Sequence, residues 1–409
     1  MNPATGSLAF FLSTGSHETL ALPLAMLTIF ASAKLLAEVF ERIGISGIVG
    51  EIFAGMLIGP SVLAWVAPNE LITSLADLGV MFLLFRVGLE VKPEELLKLG
   101  GSATLVAVSG VIAPMILGWG IMRYWGSPQI EAIFVGAAMV ATSVGITAQV
   151  LAAKGLLQQR SSQIILAAAV IDDVLGLLVL ASVSGMARGE VNLFEIALTA
   201  GLAIAFVVGI ALWGNKAMGK VVPRAQESLR VAEAEYALAV VLLFALAVLA
   251  VYIGVAAIVG AFFAGMALAG RVGHRVHDLA NGAAELLVPF FLVGIGLHVD
   301  LSAFRDQSMM ILAGVLLLAA VVSKFIGCGG AALGMGKAEA MRIGVGMIPR
   351  GEVGMVVAQI GLGMGAMSQS VYGVVVFMAV ATTVVAPPLL KIAYKGVETT
   401  APEERYSLG

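Results

Sequence analysis

Long runs of apolar residues recur along the whole chain, and short polar segments separate them. A run of about 20 apolar residues is long enough to cross the hydrocarbon core of a bilayer as one helix. We therefore predict an all-α polytopic membrane protein with about thirteen transmembrane helices, or twelve if the short joint at 252–254 is not a loop. The predicted spans are 19–38, 46–66, 71–89, 101–122, 128–153, 162–186, 193–213, 233–252, 254–270, 283–298, 309–333, 339–363 and 370–392.

Composition narrows the class of protein further. Hydrophobic residues make up 60% of the 409 positions and charged residues only 12%, with a mean hydropathy of +1.03. A soluble domain carries about 25% charged residues, so we expect a single transmembrane unit without a separate soluble domain. The net charge of −3 argues against a nucleic-acid partner.

Basic residues fall mainly on one side of the predicted topology. With the N-terminus outside, the outer loops contain only Arg123, Arg188 and Arg305. Because cytoplasmic loops carry an excess of Lys and Arg, this asymmetry predicts a cytoplasmic C-terminus in a bacterial inner membrane. The basic residues of the predicted cytoplasmic segments are Arg42, Lys92, Lys98, Lys154, Arg160, Lys216, Lys220, Arg224, Arg230, Arg271, Arg275, Lys337, Arg342, Lys391, Lys395 and Arg405.

Two parts of the chain carry matching sequences. Residues 50–56 (GEIFAGM) and 260–266 (GAFFAGM) share five of seven residues, and 87–91 (VGLEV) matches 295–299 (IGLHV). Further glycines match at nearly the same offset of about 208 residues, so chance is a poor explanation. The repeats are shifted by an odd number of spans and therefore have opposite topology, which is typical of secondary transporters. The predicted repeat units are 46–186 and 254–392.

The sixth predicted span contains two adjacent carboxylates, Asp172 and Asp173, in an otherwise apolar run. A charge at the bilayer centre costs about 3 kcal/mol or more, so it normally faces a partner or a water-filled cavity. Carboxylate oxygens suit a monovalent cation such as sodium and also bind protons. Neighbours on a helix point about 100° apart, so we expect one Asp to face the ion and the other a basic partner. Lys324, in the middle of span 11, is the candidate partner, and snorkelling to the interface is the alternative.

Spans 5 and 12 carry signs of interrupted helices. Span 12 contains Pro349 among glycines, with Arg350 and Glu352 at the break. Two interrupted spans at matching positions of inverted repeats indicate a transport site. Arg350 and Glu352 can neutralise the partial charges of broken helix ends. In span 5 the hydroxyls of Thr142 and Ser143 either line the ion site or cap the broken helix.

Other charged groups support weaker interpretations. The carboxylates that we interpret as structural or dimer-face groups are Glu51, Asp77 and Glu285. The polar residues that we interpret as interfacial loop residues are Arg86, Glu90 and His298. The sequence contains no nucleotide-binding motif, no His/Cys cluster with metal-ligand spacing and no serine hydrolase elbow. We therefore expect no cofactor, no nucleotide partner and no enzymatic activity.

These motifs resemble those of the cation/proton antiporter superfamily, in particular the bacterial sodium/proton antiporters of the NapA and NhaA type. The Asp172–Asp173 pair is similar to the family's paired aspartates, and residues 323–327 (SKFIG) are similar to the segment with its core lysine. Thr142-Ser143 and residues 349–352 (PRGE) are similar to its two crossed, unwound helices. The resemblance covers nearly the whole chain.

The resemblance implies a role for each part. Asp173 would be the main ion carboxylate and the sodium ligand, and Asp172 would form a salt bridge with Lys324. Spans 4–6 and 11–13 would form a mobile core domain, and the other spans a dimerisation domain of a homodimer with elevator-like motion. Paired aspartates in this family imply electrogenic exchange.

Three alternatives to sodium (or lithium)/proton antiport stay open at this point. A potassium/proton antiporter or potassium efflux protein would use the same scaffold. A sodium-coupled carrier of an organic anion would need a larger polar cavity and would not need Lys324. A purely structural or sensory membrane protein would leave the charged residues within the spans unexplained.

Overall fold

The computed structural model describes residues 18–91, 93–188, 193–228, 233–299, 304 and 306–397. These ranges fold into sixteen α-helices, with a π-helical turn (Ile210–Gly214) between α8 and α9 and a 3-10 turn (Leu333–Met335) before α14. The helices are α1 (Glu18–Arg42), α2 (Gly47–Ile58), α3 (Glu70–Glu90), α4 (Pro93–Trp125), α5 (Gln129–Ala138), α6 (Val144–Ala153), α7 (Arg160–Arg188), α8 (Leu193–Gly209), α9 (Asn215–Ser228), α10 (Ala234–Ile253), α11 (Ala257–Leu268), α12 (His274–Leu297), α13 (Gln307–Ala331), α14 (Lys337–Gly346), α15 (Glu352–Gly363) and α16 (Gln369–Ala393).

Nine helical stretches in the described ranges are long and apolar enough to cross a membrane. The prediction of a helical, polytopic membrane protein is therefore confirmed, whereas the count of thirteen spans stays a prediction. Five further apolar helices, α2, α5, α6, α11 and most of α15, are shorter than 18 residues. The nine long stretches are Leu22–Arg42, Glu70–Glu90, Leu99–Trp125, Arg160–Ala187, Ile196–Arg224, Ala234–Ile253, His274–Leu297, Gln307–Ala331 and Gln369–Ala393.

Two helix boundaries differ from those predicted by the apolar pattern, and a third agrees with the prediction. The predicted span 46–66 is helical only to Ile58, because Gly59 is extended ahead of Pro60 and a residue before proline disfavours the helical conformation. The joint at 252–254 is a real break, since Gly254 adopts a left-handed φ of 89° and ends α10. The segment from Lys216, predicted as a loop, forms helix α9 instead.

Glycines at matching positions of the two predicted repeats make matching contacts. A Cβ on Gly50 would lie 2.4 Å from the Leu36 carbonyl oxygen of α1, and one on Gly260 would lie 2.3 Å from that of Leu246 on α10. Gly136 and Gly344 form a similar pair. A Cβ on Gly136 would lie 2.7 Å from the Met115 carbonyl oxygen, and one on Gly344 would lie 2.8 Å from the Phe325 carbonyl oxygen. Each glycine thus lets its helix approach the backbone of the preceding long helix.

Four more glycines form two crossed contacts between α2 and α12 and between α3 and α11. A Cβ would lie 2.0 Å from the Val293 oxygen at Gly55 and 2.1 Å from the Ile52 oxygen at Gly296. A Cβ on Gly88 would lie 2.1 Å from the Phe262 carbonyl oxygen, and a Cβ on Gly265 would lie 2.1 Å from the Phe85 carbonyl oxygen. The backbones of these helices therefore touch directly, with no space for a side chain between them.

The helices pack in two groups. Helices α4 to α7 pack with α13 to α16, and α1 to α3 pack with α10 to α12. Contacts between the groups include those of α3 with α6 and of α2 with α16. The broken helices and the charged residues predicted within the spans lie in the first group.

Candidate functional site

The two adjacent aspartates lie on α7, near its middle. Asp172 is fully buried and Asp173 is 4% exposed. Lys324, on α13, is also fully buried, and its Nζ lies 3.1 Å from Oδ1 and 3.2 Å from Oδ2 of Asp172. The structure therefore places Lys324 in a two-oxygen contact with Asp172, the arrangement expected when two charges share a site away from water.

Next to α7, two broken helices cross at their interruptions. The first consists of α5 and α6, joined by residues 139–143, and the second of α14 and α15, joined by residues 347–351. The two connecting segments are linked directly, because the Ser143 amide donates a hydrogen bond of 2.8 Å to the Pro349 carbonyl. A Cβ at Gly351 would lie 2.6 Å from both the Cβ and the Oγ of Ser143. Only a glycine at 351 therefore allows the segments to pack this closely.

Arg350 occupies the interruption of the second helix and is fully buried. Its guanidinium donates hydrogen bonds to the carbonyls of Met347, at 3.3 Å, and Ile348, at 2.8 Å, which lie just after α14. A third bond, of 3.2 Å, reaches the Ala320 carbonyl of α13. The positive charge thus lies against the partially negative C-terminal end of α14.

The remaining predicted site residues are Thr142, Ser143, Asp173 and Glu352. The Thr142 and Ser143 hydroxyls are buried and have no hydrogen-bond partner among the described residues, so neither caps a helix end. Glu352 begins α15, but its side chain lies outside the described residues. Helix α7, which carries Asp173, contacts α5, α6, α14 and α15 and so reaches both halves of both broken helices.

Two threonines that sequence reasoning missed hold the crossing together. The Thr147 hydroxyl, on α6, donates a hydrogen bond of 2.7 Å to the Gly346 carbonyl at the end of α14. The Thr382 hydroxyl, on α16, accepts a bond of 3.0 Å from the Arg350 amide. Both side chains are fully buried. The available signal was a polar residue within an apolar span. Because a threonine hydroxyl commonly bonds to a carbonyl of its own helix, this signal did not predict a partner on another helix.

The charged groups away from the crossing also have defined places. Glu51 is buried on α2 and forms an ion pair of 2.9 Å with Lys34 of α1. Arg86, expected in an interfacial loop, lies within α3 instead and hydrogen-bonds to Asn281 of α12. That expectation was wrong because the apolar run around it continues as helix to Glu90. Asp77 lines a cavity between α3 and α12.

A metal site made of protein side chains alone would need several ligands. The described residues contain no group of three or more His, Cys, Asp or Glu side chains that could hold a metal ion. A cation beside Asp173 would therefore need hydroxyl or backbone oxygens as additional ligands. The unwound segments of the two broken helices provide such oxygens.

Comparisons with known proteins show the family to which the chain belongs. Residues 26–396 match the family described as sodium/hydrogen exchanger, transmembrane. The Na(+)/H(+)-K(+) antiporter GerN of Bacillus cereus is 35% identical over 371 residues, which are 90% of this chain and 94% of GerN. The high-affinity Na(+)/H(+) antiporter NhaS3 of Synechocystis is 34% identical over 433 residues, covering 93% of this chain and 92% of NhaS3.

The fold has a counterpart among solved structures. The sodium proton antiporter MjNhaP1 from Methanocaldococcus jannaschii matches with a TM-score of 0.64 and 17% identity, covering 92% of this chain and 97% of that chain. At this identity the likeness concerns the fold alone. Together with the family match, it confirms the resemblance to cation/proton antiporters that the sequence motifs indicated. The chain belongs to the sodium/hydrogen exchanger family.

Proposed function

We propose that the protein is a secondary active antiporter that exchanges sodium or lithium ions for protons across the bacterial inner membrane. The observation that carries this proposal is that the two adjacent aspartates have different surroundings. Asp172 is bound to Lys324 by two contacts of 3.1 and 3.2 Å, and its neighbour Asp173 lies on the helix that packs against both broken helices. Lys324 thus neutralises one carboxylate, and we assign the transported ion to the other because of its place beside the broken helices.

Asp173 would bind a proton and a cation in turn. A carboxylate that accepts a proton loses the negative charge that holds a cation, so the two ligands compete for it. The unpartnered hydroxyls of Thr142 and Ser143 are suited to act as further oxygen ligands. Arg350 would compensate the end of α14 so that the unwound segment keeps its shape whether or not a cation is bound. The presence of both aspartates supports electrogenic exchange, by resemblance to the family.

The packing supports the proposed domains. The group of α4 to α7 with α13 to α16 would be the mobile core domain, and α1 to α3 with α10 to α12 would belong to the dimerisation domain of a homodimer. The matching contacts of Gly50 with Gly260 and of Gly136 with Gly344 support two inverted repeats. In an elevator-like cycle, the core domain would carry Asp173 from one face of the membrane to the other.

Potassium/proton exchange is the second candidate, because the relative GerN is named as an antiporter of potassium as well as sodium. Uptake of an organic anion has less support. The described residues do border an open groove of about 780 Å³ between α4 and α13, but apart from Ser323 its lining is apolar or aromatic. An anionic substrate would leave its charge unpaired against such a surface.

Exchange can be tested in everted membrane vesicles that carry a respiration-driven proton gradient. We expect sodium or lithium to dissipate the gradient, measured as dequenching of a pH-sensitive dye, and potassium to do so at higher concentrations. Vesicles without the protein are the control. A response to potassium alone would favour the second candidate, and no response to any of the three cations would contradict antiport.

The proposed orientation gives a separate prediction. In a Cys328→Ser background, a cysteine at Ala187 should react with a membrane-impermeant thiol reagent added to whole cells. A cysteine at Lys220, which is exposed on α9, should react only after the membrane is opened. The predicted outer loop continues to Glu190, whose position lies outside the described residues. The reverse labelling pattern would refute the orientation, and labelling of both positions from the same side would contradict the single crossing predicted between them.

A further inference from the structure

A small cavity lies between the two groups of helices, apart from the charged residues of the candidate site. It has a volume of about 80 Å³, is bounded by α3, α12 and α15, and has room for a few water molecules. Its polar lining consists of the Thr73 hydroxyl, the Asp77 carboxylate and the His298 imidazole, all of them exposed residues. These three groups determine the chemistry of the cavity.

One layer of side chains separates this cavity from the first broken helix. Val80 and Phe291 line the cavity and are nearly fully buried. The same two side chains lie against Gly145 of α6, where a Cβ would be 3.0 Å from Val80 and 3.3 Å from Phe291. Gly145 follows Ser143 by only two residues. A cation that leaves the cavity past this layer would therefore arrive at the unwound segment of the first broken helix.

Asp77 is chemically available in this cavity. Within the part of the chain that the structure describes, its carboxylate has neither a hydrogen bond nor an ion pair. Its counterpart in the second predicted repeat, Glu285, accepts a bond of 3.2 Å from Asn281. His298 has one ring nitrogen, Nδ1, at 2.7 Å from the Gly294 carbonyl of its own helix. Asp77 is thus an unneutralised negative charge in a cavity that excludes organic substrates by its volume.

We propose that this cavity is the outer vestibule of the cation pathway, where Asp77 attracts the cation, and that Val80 and Phe291 form the closed gate beneath it. A carboxylate in a cleft with apolar walls focuses the field and raises the local cation concentration. This inference rests on the proposed antiport and on the proposed orientation, by which α3 begins at the outer face. Asp77 does not touch the ion at Asp173 in this arrangement, so it acts on entry.

The inference can be tested by sided kinetics. Sodium uptake driven by a proton gradient is measured in right-side-out vesicles and, separately, in everted vesicles. Asp77→Asn is expected to raise the half-saturating sodium concentration at the outer face by about threefold to tenfold. The maximal rate and the half-saturating concentration at the cytoplasmic face should not change. Asp77→Glu keeps the charge and should stay close to the wild type.

Glu70→Gln is the matched control. Glu70 is an exposed carboxylate in the first turn of the same helix, so its substitution removes one outer charge without altering the cavity lining. The inference is overturned if Asp77→Asn leaves outer half-saturation unchanged, changes the two faces equally, or has no larger effect than Glu70→Gln. Failure of the wild type to exchange any cation would instead refute the antiport itself, so the two failures are distinguishable.

Labelling gives a second measurement that does not depend on the charge of Asp77. In the Cys328→Ser background, a bulky impermeant reagent on a cysteine at Thr73 should block uptake from outside. Ser74 is also exposed but does not line the cavity, so labelling a cysteine there should leave uptake unaffected. Equal inhibition at both positions, or none at position 73 despite complete labelling, would overturn the vestibule.

Discussion

Cation/proton exchange is expected to stop when Asp173 is replaced by asparagine. The amide is uncharged at every pH, so it binds neither a proton nor a sodium ion in place of the carboxylate. Asp172 cannot take over, because both of its oxygens lie within 3.2 Å of the Lys324 ammonium. In the vesicle assay, the response to sodium and lithium should fall to the level of vesicles without the protein.

The substitution should leave folding intact, because asparagine has nearly the volume of aspartate. Amount in the membrane, elution from a sizing column and melting temperature in detergent are the checks. Asp278→Asn makes the same chemical change at an exposed position of α12 and is expected to exchange normally. Asp173→Asn with activity within a factor of about two of the wild type would refute the assignment of Asp173 as the ion-binding carboxylate.

The second large effect concerns stability and belongs to Lys324 and Asp172. Both side chains are fully buried, so removal of either one leaves the other charge unpaired away from water. Breaking a buried pair in this way costs about 3–5 kcal/mol, and less where water can enter. We therefore expect Lys324→Gln and Asp172→Asn each to lower the melting temperature clearly. The double variant should recover part of that loss, because neither charge is then stranded.

A double-mutant cycle measures this coupling, and the protein contains its own control pair. Lys34 and Glu51 are closer, at 2.9 Å, but the Lys34 side chain is 49% exposed. Water screens such a pair, so its coupling should be at most about 1 kcal/mol. The Lys324–Asp172 coupling should exceed it. Strictly additive losses at Lys324 and Asp172 would mean that the two charges do not stabilise each other.

The sequence was sufficient to anticipate those site features that are costly in a membrane. Two carboxylates and a lysine within apolar spans each carry a large cost alone, so one of the two aspartates was expected to meet Lys324. The resemblance to the antiporters indicated Asp172, and the structure places Asp172 and Lys324 together. Pro349 and its neighbouring glycines likewise predicted an interrupted helix, and α14 ends three residues before that proline. For the charged residues, the cost of burying a charge in the membrane is large, and this cost can be evaluated from the residue types alone.

The missed features depend on geometry that residue types do not determine. Thr147 bonds across helices because the two interruptions meet. Thr382 donates to the Ala379 carbonyl of its own helix and also accepts from the Arg350 amide, and no local pattern reveals that second partner. Arg86 was interpreted as an interfacial loop residue although it falls within the predicted span 71–89. Its partner is the neutral Asn281, which is 195 residues away in the sequence. Such partners follow from helix packing, which the apolar pattern leaves open.

The glycine contacts between α2 and α12 and between α3 and α11 also restrict how the protein can move. Advancing one of these helices along its partner by a single residue, about 1.5 Å, would bring a side chain into the space now held by a carbonyl oxygen, as at Gly88 against Phe262. These contacts therefore keep the helices of each pair from sliding along each other. In the proposed elevator-like motion, the displacement of Asp173 would occur along the surface of these four helices, where Val80 and Phe291 meet Gly145.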